Sequence, residues 1–183
     1  MKTLTLHGSP RKNGSSDTLV EYFIKGLRIS GNNEIQQFYT NDLNIRPCQG
    51  CLACNSKLPH YCKIEDDMQE IYSSFIEANI VVFATPMYWG YMTAQLKTIV
   101  DRMEAIASKK YFQGKNFVVI LTYHYHYEST AAFFKRIIDY FGGTLHTIIY
   151  HSLDKNSDED VHVSNCKEKL EEAYNLGKTL GKQ

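Results

Sequence analysis

A chain of 183 residues with 43% hydrophobic content is long enough for one domain with a sizeable core. Lysine plus arginine and aspartate plus glutamate both number 20, so no net charge steers the chain toward nucleic acid or an anionic membrane, and a small-molecule site is the expected target. No apolar run approaches the roughly 20 residues of a membrane span, and the stretch before Gly8 and Pro10 is too short for a signal peptide, so the expected setting is the cytoplasm.

Along the chain, short β-branched runs alternate with segments of helical period. TLTLH (Thr3 to His7) reads as a strand and Thr18 to Ile29 as a helix. EIQQFY (Glu34 to Tyr39) is a weaker strand, and Asp66 to Glu77 a second helix. NIVVFA (Asn79 to Ala84), a helix over Met92 to Ala107, NFVVILT (Asn116 to Thr122), a helix over Ser129 to Phe141 and TLHTIIY (Thr144 to Tyr150) follow. The polar segment DKNSDED (Asp154 to Asp160) reads as a solvated loop, and Ser164 to Leu180 as a last helix carrying Cys166 as a partly buried thiol. Strand and helix taking turns imply an α/β fold with helices on both faces of a parallel sheet, and near-continuous apolar strands fit burial on both sides. Five strands in this arrangement match the flavodoxin-like doubly wound sheet, order 2-1-3-4-5, whose ligand sits beyond the carboxyl ends of the strands. One domain over residues 1–183 is expected, with a cysteine-rich insertion loop at 47–65.

The loops after the first and third strands therefore carry the function. GSPRKNGSSDT joins a strand to a helix, so backbone N–H groups and the helix N-terminus converge where an anion can sit, with Ser9, Ser15, Ser16 and Thr18 as hydroxyl donors and Arg11 as counter-charge. It is neither G-x-G-x-x-G nor G-x-x-x-x-G-K-[ST], and a single phosphate such as that of FMN suits it better than a dinucleotide or triphosphate. An ordinary capped strand-to-helix turn is the competing reading. After the third strand, Pro86, Met87, Tyr88, Trp89 and Gly90 offer a flat, polarisable surface to a ring system beside that phosphate site.

PCQGCLACNSKLPHYC holds four of the five cysteines, Cys48, Cys51, Cys54 and Cys62, at C-x2-C-x2-C-x7-C spacing. The first three match a ferredoxin-type run in which one compact loop wraps three corners of a 4Fe–4S cluster and a more distant thiolate takes the fourth. Tetrahedral zinc and a metal-free thiol loop remain open beside it.

Taken together, GSPRKNGSSDTL, PCQGCLAC with its trailing cysteine and IEDDM, and TPMYWGYMTAQLKTIVDRM resemble the NADPH-dependent FMN reductase and iron-sulfur flavoprotein group of the flavodoxin-like superfamily. The resemblance is close over roughly the first 105 residues and beyond them lies only in the strand-helix pattern. It implies FMN, its phosphate held by Ser9, Arg11, Asn13, Ser15 and Ser16 and its ring edge lined by Pro86, Met87, Tyr88, Trp89 and Gly90. It also implies a homodimer or homotetramer. One departure is TYHYHYES (Thr122 to Ser129), which puts bulky Tyr123, His124, Tyr125 and His126 where relatives have a small turn, with Tyr123 expected against the cofactor. His124 and His126 read as pocket or surface residues rather than metal ligands.

The expected activity is an FMN-dependent oxidoreductase with NAD(P)H as co-substrate and a small-molecule electron acceptor, namely a quinone, a nitro or azo compound, or a flavin. Tyr88 and His124 are the candidate proton donors to the acceptor. An electron carrier with a 4Fe–4S cluster on the four cysteines and a ferredoxin-like partner is the alternative, and a non-catalytic flavodoxin-like binding module is the third reading.

Overall fold

The computed structural model describes residues 1–55, 62–154 and 156–182. Six strands occur in it: β1 (Lys2–His7), β2 (Glu34–Tyr39), β3 (Ile80–Tyr88), β4 (Tyr91–Met92), β5 (Asn116–Tyr123) and β6 (Thr144–His151). Five pair in parallel in the order β2-β1-β3-β5-β6, and β4 pairs only with β3. This is the expected doubly wound order with one two-residue strand added. Tyr88 and Tyr91 face each other across an antiparallel hairpin whose two central residues, Trp89 (φ 52°) and Gly90 (φ 79°), both have positive φ. Two successive positive φ values are the signature of the tight turn that matches strand twist, and glycine takes that conformation freely whereas tryptophan does not.

Alternate residues of the strands feed two cores, one on each face, as period-2 geometry requires. Val81 and Phe83 of β3 with Phe117, Val119 and Leu121 of β5 pack toward α2 (Met68–Glu77), α3 (Ala94–Arg102), the short α4 (Lys109–Phe112) and α5 (Glu128–Phe141). Ile80, Val82 and Ala84 with Val118 and Ile120 pack toward α1 (Ser15–Ser30) and α6 (Lys167–Leu180), against which Cys166 is half-buried. The two last-named helices touch backbone to backbone: a Cβ on Gly26 would lie 2.0 Å from the Tyr174 carbonyl, and one on Gly177 would lie 2.0 Å from that of Phe23. Sequence periodicity ran Met92 to Ala107 together, but the helix starts where Thr93 caps the Leu96 N–H and gives way to a 3-10 turn at Met103–Ile106. Among the described residues, no helix is long and apolar enough to cross a membrane.

Candidate functional site

The carboxyl ends of β1, β3 and β5 open into one cavity of about 570 Å³, within the usual range of cofactor pockets. Ser9, Arg11, Asn13, Ser15 and Ser16 line one side, Pro86, Met87, Tyr88 and Trp89 a second, and Thr122, Tyr123 and His124 a third. The two loops singled out in the sequence thus converge. Gly90 does not line the cavity; it serves the hairpin turn and its carbonyl accepts from Ser129 Oγ at 3.2 Å.

The first loop is shaped by hydrogen bonds within it. Ser9 Oγ accepts from the Arg11 N–H and donates to the Arg11 carbonyl, both at 3.0 Å. The Asn13 N–H donates to buried Asp17 Oδ2 at 3.1 Å while Asn13 itself sits in the left-handed region at φ 62°. Asp17 Oδ1 lies 3.1 Å from Nδ1 of fully buried His7, whose ring stacks on Tyr39. Gly14 then caps α1 with no side chain to receive a helix N–H. Among the described residues, no acceptor partners the Gly14, Ser15 and Ser16 N–H groups. An uncapped helix N-terminus following a left-handed residue is a ready anion cradle, with the helix dipole adding to it.

Trp89 is fully exposed at the cavity mouth, and Tyr88 is exposed beside it. A bulky side chain held at φ 52° costs about 1–2 kcal/mol, so the hairpin tip stores strain at the site.

The third side contains residues that sequence reasoning passed over. The polar segment at 154–160, of which residue 155 lies outside the described residues, was expected to be a solvated loop. Residues 156–160 are exposed, as expected, and an isolated bridge from Leu153 to Asp160 turns the segment back so that Asp160, with Ser152 and His162 flanking the segment, also lines the cavity. His124 Nε2 lies 3.0 Å from Asp160 Oδ1. Burial works to raise the Asp160 carboxyl, but hydrogen bonds with His124 and Ser152 and the charges of His124 and Arg11 outweigh it and hold it below the ordinary aspartate value. His162 Nε2 lies 3.1 Å from the Asn13 carbonyl and so braces the anion loop from the other end of the chain. Tyr123 packs on Tyr127 and His151, and burial raises its phenol above the ordinary value. Tyr125 and His126 are exposed and do not line the cavity.

The cysteine loop lies apart from this cavity. Cys48, Cys51, Cys54 and Cys62 are all free thiols and together line a small hollow of about 30 Å³ with Arg102 and Glu104. Residues 56–61 of the expected 47–65 loop lie outside the described residues. Among the described residues, no group of three or more histidine, cysteine or acidic side chains is gathered closely enough to hold a metal ion. The donor set nevertheless has the chemistry of a cluster site: four unpaired thiols on one hollow, and left-handed Gly50 and Leu52 turning the loop so that the Gly50 N–H donates to Cys48 Sγ at 3.5 Å. Burial pushes the Cys54 thiol up, a backbone hydrogen bond opposing and Glu104 with the neighbouring thiols adding.

Below the loop, Asp66 of the IEDDM motif and Arg102 of the VDRM motif form a buried bidentate ion pair at 2.9 and 3.1 Å. Asp66 Oδ2 also accepts from the Arg46 N–H at 2.9 Å, and Arg102 donates to the Arg46 and Ile64 carbonyls at 2.8 and 3.2 Å. Entry and exit of the loop are thereby tied to one point.

The sequence model of the NADPH-dependent FMN reductase family matches residues 1–147. The chain belongs to that family. Similar proteins include an iron-sulfur flavoprotein of Archaeoglobus fulgidus, 34% identical over 63% of this chain and 51% of its own length. An iron-sulfur flavoprotein of Methanocaldococcus jannaschii is 38% identical over 60% of this chain and 54% of its own. The match spans about half the length of these relatives. Among solved structures, an azoreductase from Bacillus anthracis superposes with a TM-score of 0.73 at 14% identity, covering 100% of this chain and 99% of that one, and a flavodoxin from the domain Archaea with a TM-score of 0.59 at 14% identity, covering 99% and 96%, which shows the flavodoxin-like fold for this member of the FMN reductase family.

Proposed function

We propose that the protein is an FMN-dependent oxidoreductase, one FMN-binding domain over residues 1–183. The observation that carries the reading is the uncapped N-terminus of α1 opening into a cavity whose opposite wall is the Pro86–Trp89 edge. The Gly14, Ser15 and Ser16 amides, with Ser15 and Ser16 hydroxyls and the Arg11 charge, suit the FMN phosphate; Ser9 and Asp17 hold the loop in shape for it. Pro86, Met87, Tyr88 and Trp89 suit the edge of the ring, with Gly90 setting the turn that presents them, and Tyr123 covers the side toward β5. When bound, FMN supplies hydride acceptance from NAD(P)H and electron delivery to a quinone, a nitro or azo compound, or a flavin. The chain's own part is to bind and orient the ring, leave one face open to each substrate in turn, and hold a proton for the acceptor. His124, oriented by Asp160, is the better placed donor, and Tyr88 the second. The exposed aromatic rim of Tyr88 and Trp89 favours a homodimer or homotetramer assembled around the site.

FMN titrated into apoprotein, followed by quenching of flavin fluorescence, tests this reading. One FMN per chain is expected, together with NAD(P)H oxidation in the presence of a quinone. An unquenched titration contradicts it.

A second reading is favoured by the four thiols on one hollow and by the names of the relatives: the loop of Cys48, Cys51, Cys54 and Cys62 holds a 4Fe–4S cluster. Such a cluster supplies one-electron steps between flavin and a ferredoxin-like partner. Zinc on the same thiolates is separated from it by metal analysis.

A further inference from the structure

The oxidoreductase reading gives no work to Arg102, a charge buried beneath the cysteine loop. Arg102 is 2% exposed, and it closes α3 immediately beneath the cysteine loop. Removing a guanidinium and a carboxylate from water costs several kcal/mol per ion, and well-packed apolar residues commonly serve stability as well as such a pair does. Stability alone therefore gives no reason for an ion pair at this point.

Its surroundings supply one. Every Nη contact of Arg102 ends on a segment that frames the cysteines: Asp66 and the Ile64 carbonyl just after Cys62, and the Arg46 carbonyl just before Cys48. The Nε–H is buried and has no partner among the described residues. Arg102 also lines the hollow onto which all four thiols open. Tyr72, almost fully buried, donates its hydroxyl to the Arg102 carbonyl at 2.8 Å and meets the Cys62 side chain, so Cys62, Tyr72 and Arg102 form one contiguous group.

We propose that Arg102 is a positioning residue for the cysteine loop: with Asp66 it fixes both ends of the loop for cluster assembly, and its guanidinium, with an Nε–H to spare, is the fixed positive charge that sets the potential of the group held by Cys48, Cys51, Cys54 and Cys62. The proposal rests on the cluster reading given above. One-electron reduction adds a negative charge to four thiolates and their cluster, and a guanidinium held nearby stabilises the reduced form more than the oxidised one. Outer partners of metal ligands have effects of this kind, typically worth about 10–100-fold in metal retention.

The test uses the full chain with FMN bound, reconstituted anaerobically with iron and sulfide, in wild-type, Asp66→Asn and Arg102→Lys forms. FMN content reports the fold, iron per FMN against a chelator reports loop geometry, and a dye-mediated titration followed by electron paramagnetic resonance reports the cluster potential. Both variants are expected to keep FMN and to lose iron about 10-fold more readily. In Asp66→Asn, where the guanidinium loses its balancing carboxylate, the remaining clusters are expected to titrate at a higher potential than wild type. Should Asp66→Asn fail to hold FMN, Arg102→Lys decides: iron retention and potential both at wild-type values overturn the proposal. Lower iron with an unchanged potential in Asp66→Asn overturns the electrostatic role, since a purely structural clamp would behave that way. Wild-type protein that binds FMN but takes up no iron removes the cluster reading itself and the proposal with it.

Discussion

The cavity at the ends of β1, β3 and β5 and the cysteine loop are built on opposite principles. The cavity is made of backbone: an uncapped helix N-terminus, a left-handed Asn13 and a hairpin with two positive φ values. The cysteine loop is made of side chains, four thiols suspended above a single buried ion pair that ties residues 46, 64, 66 and 102 together. A backbone site tolerates many side-chain changes but depends on local conformation; a side-chain site depends on one or two residues. That contrast makes the two regions separable by mutation.

The largest expected effect is at the ion pair. Arg102→Ala leaves Asp66 buried without its partner and should destabilise the protein by about 3–5 kcal/mol in urea unfolding. A loss near zero would mean that the clamp is not the anchor of the loop. Smaller is the effect of changing the anion loop: Ser9→Ala with Arg11→Ala removes the hydroxyl that shapes the loop and one exposed charge, while the helix amides remain. FMN affinity should fall roughly 10-fold, about 1.4 kcal/mol. Undiminished affinity in the same titration would remove both residues from the phosphate site.

These two regions differ equally in how legible they were. The cavity could be read because its position follows from topology: once alternating strands and helices imply the doubly wound order, the loops after β1 and β3 must meet, and their residues line one cavity. The cysteine spacing was equally plain. The clamp was not, because Asp66 and Arg102 are 36 residues apart and each reads as an ordinary helix-end charge until the chain folds. Asp160 and His162 were hidden for a similar reason: the segment before them is a solvent-exposed loop, as its polarity says, and only the bridge from Leu153 to Asp160 brings its end to the cavity. The hairpin was missed because a tryptophan is a poor residue for a positive φ, so the local signal pointed away from the turn that forms.

That strain gives the next prediction. Trp89→Asn, followed by Gly90, is the favoured sequence for such a turn and should stabilise the apoprotein by about 1 kcal/mol, since the exposed indole buries nothing in the isolated chain. Destabilisation in a thermal melt would show that the indole has a partner, as in an oligomer. The smallest effect under working conditions is the response to acid. Burial tends to raise the Asp66 carboxyl, but Arg102 and the amides of Arg46 and Met68 hold it below its ordinary value. Its contribution is therefore fully present above the ordinary aspartate value of about 3.9 and is lost as pH falls through the lowered one. The cysteine loop should remain anchored at pH 5 and loosen as pH falls below about 3.9 toward the lowered value, as read by thiol accessibility to a pyridyl disulfide, which still reacts in acid. A loop that loosens already between pH 7 and pH 5 would contradict this.

The central claim, that the cavity at the ends of β1, β3 and β5 binds FMN, is tested most directly by the anaerobic visible absorption spectrum of the protein after addition of FMN and gel filtration, recorded before and after dithionite. A two-banded flavin spectrum that stays with the protein and bleaches on reduction is the predicted result, with a broad brown shoulder beneath it where the cysteine loop carries its cluster. Protein that elutes without a flavin spectrum would contradict the account.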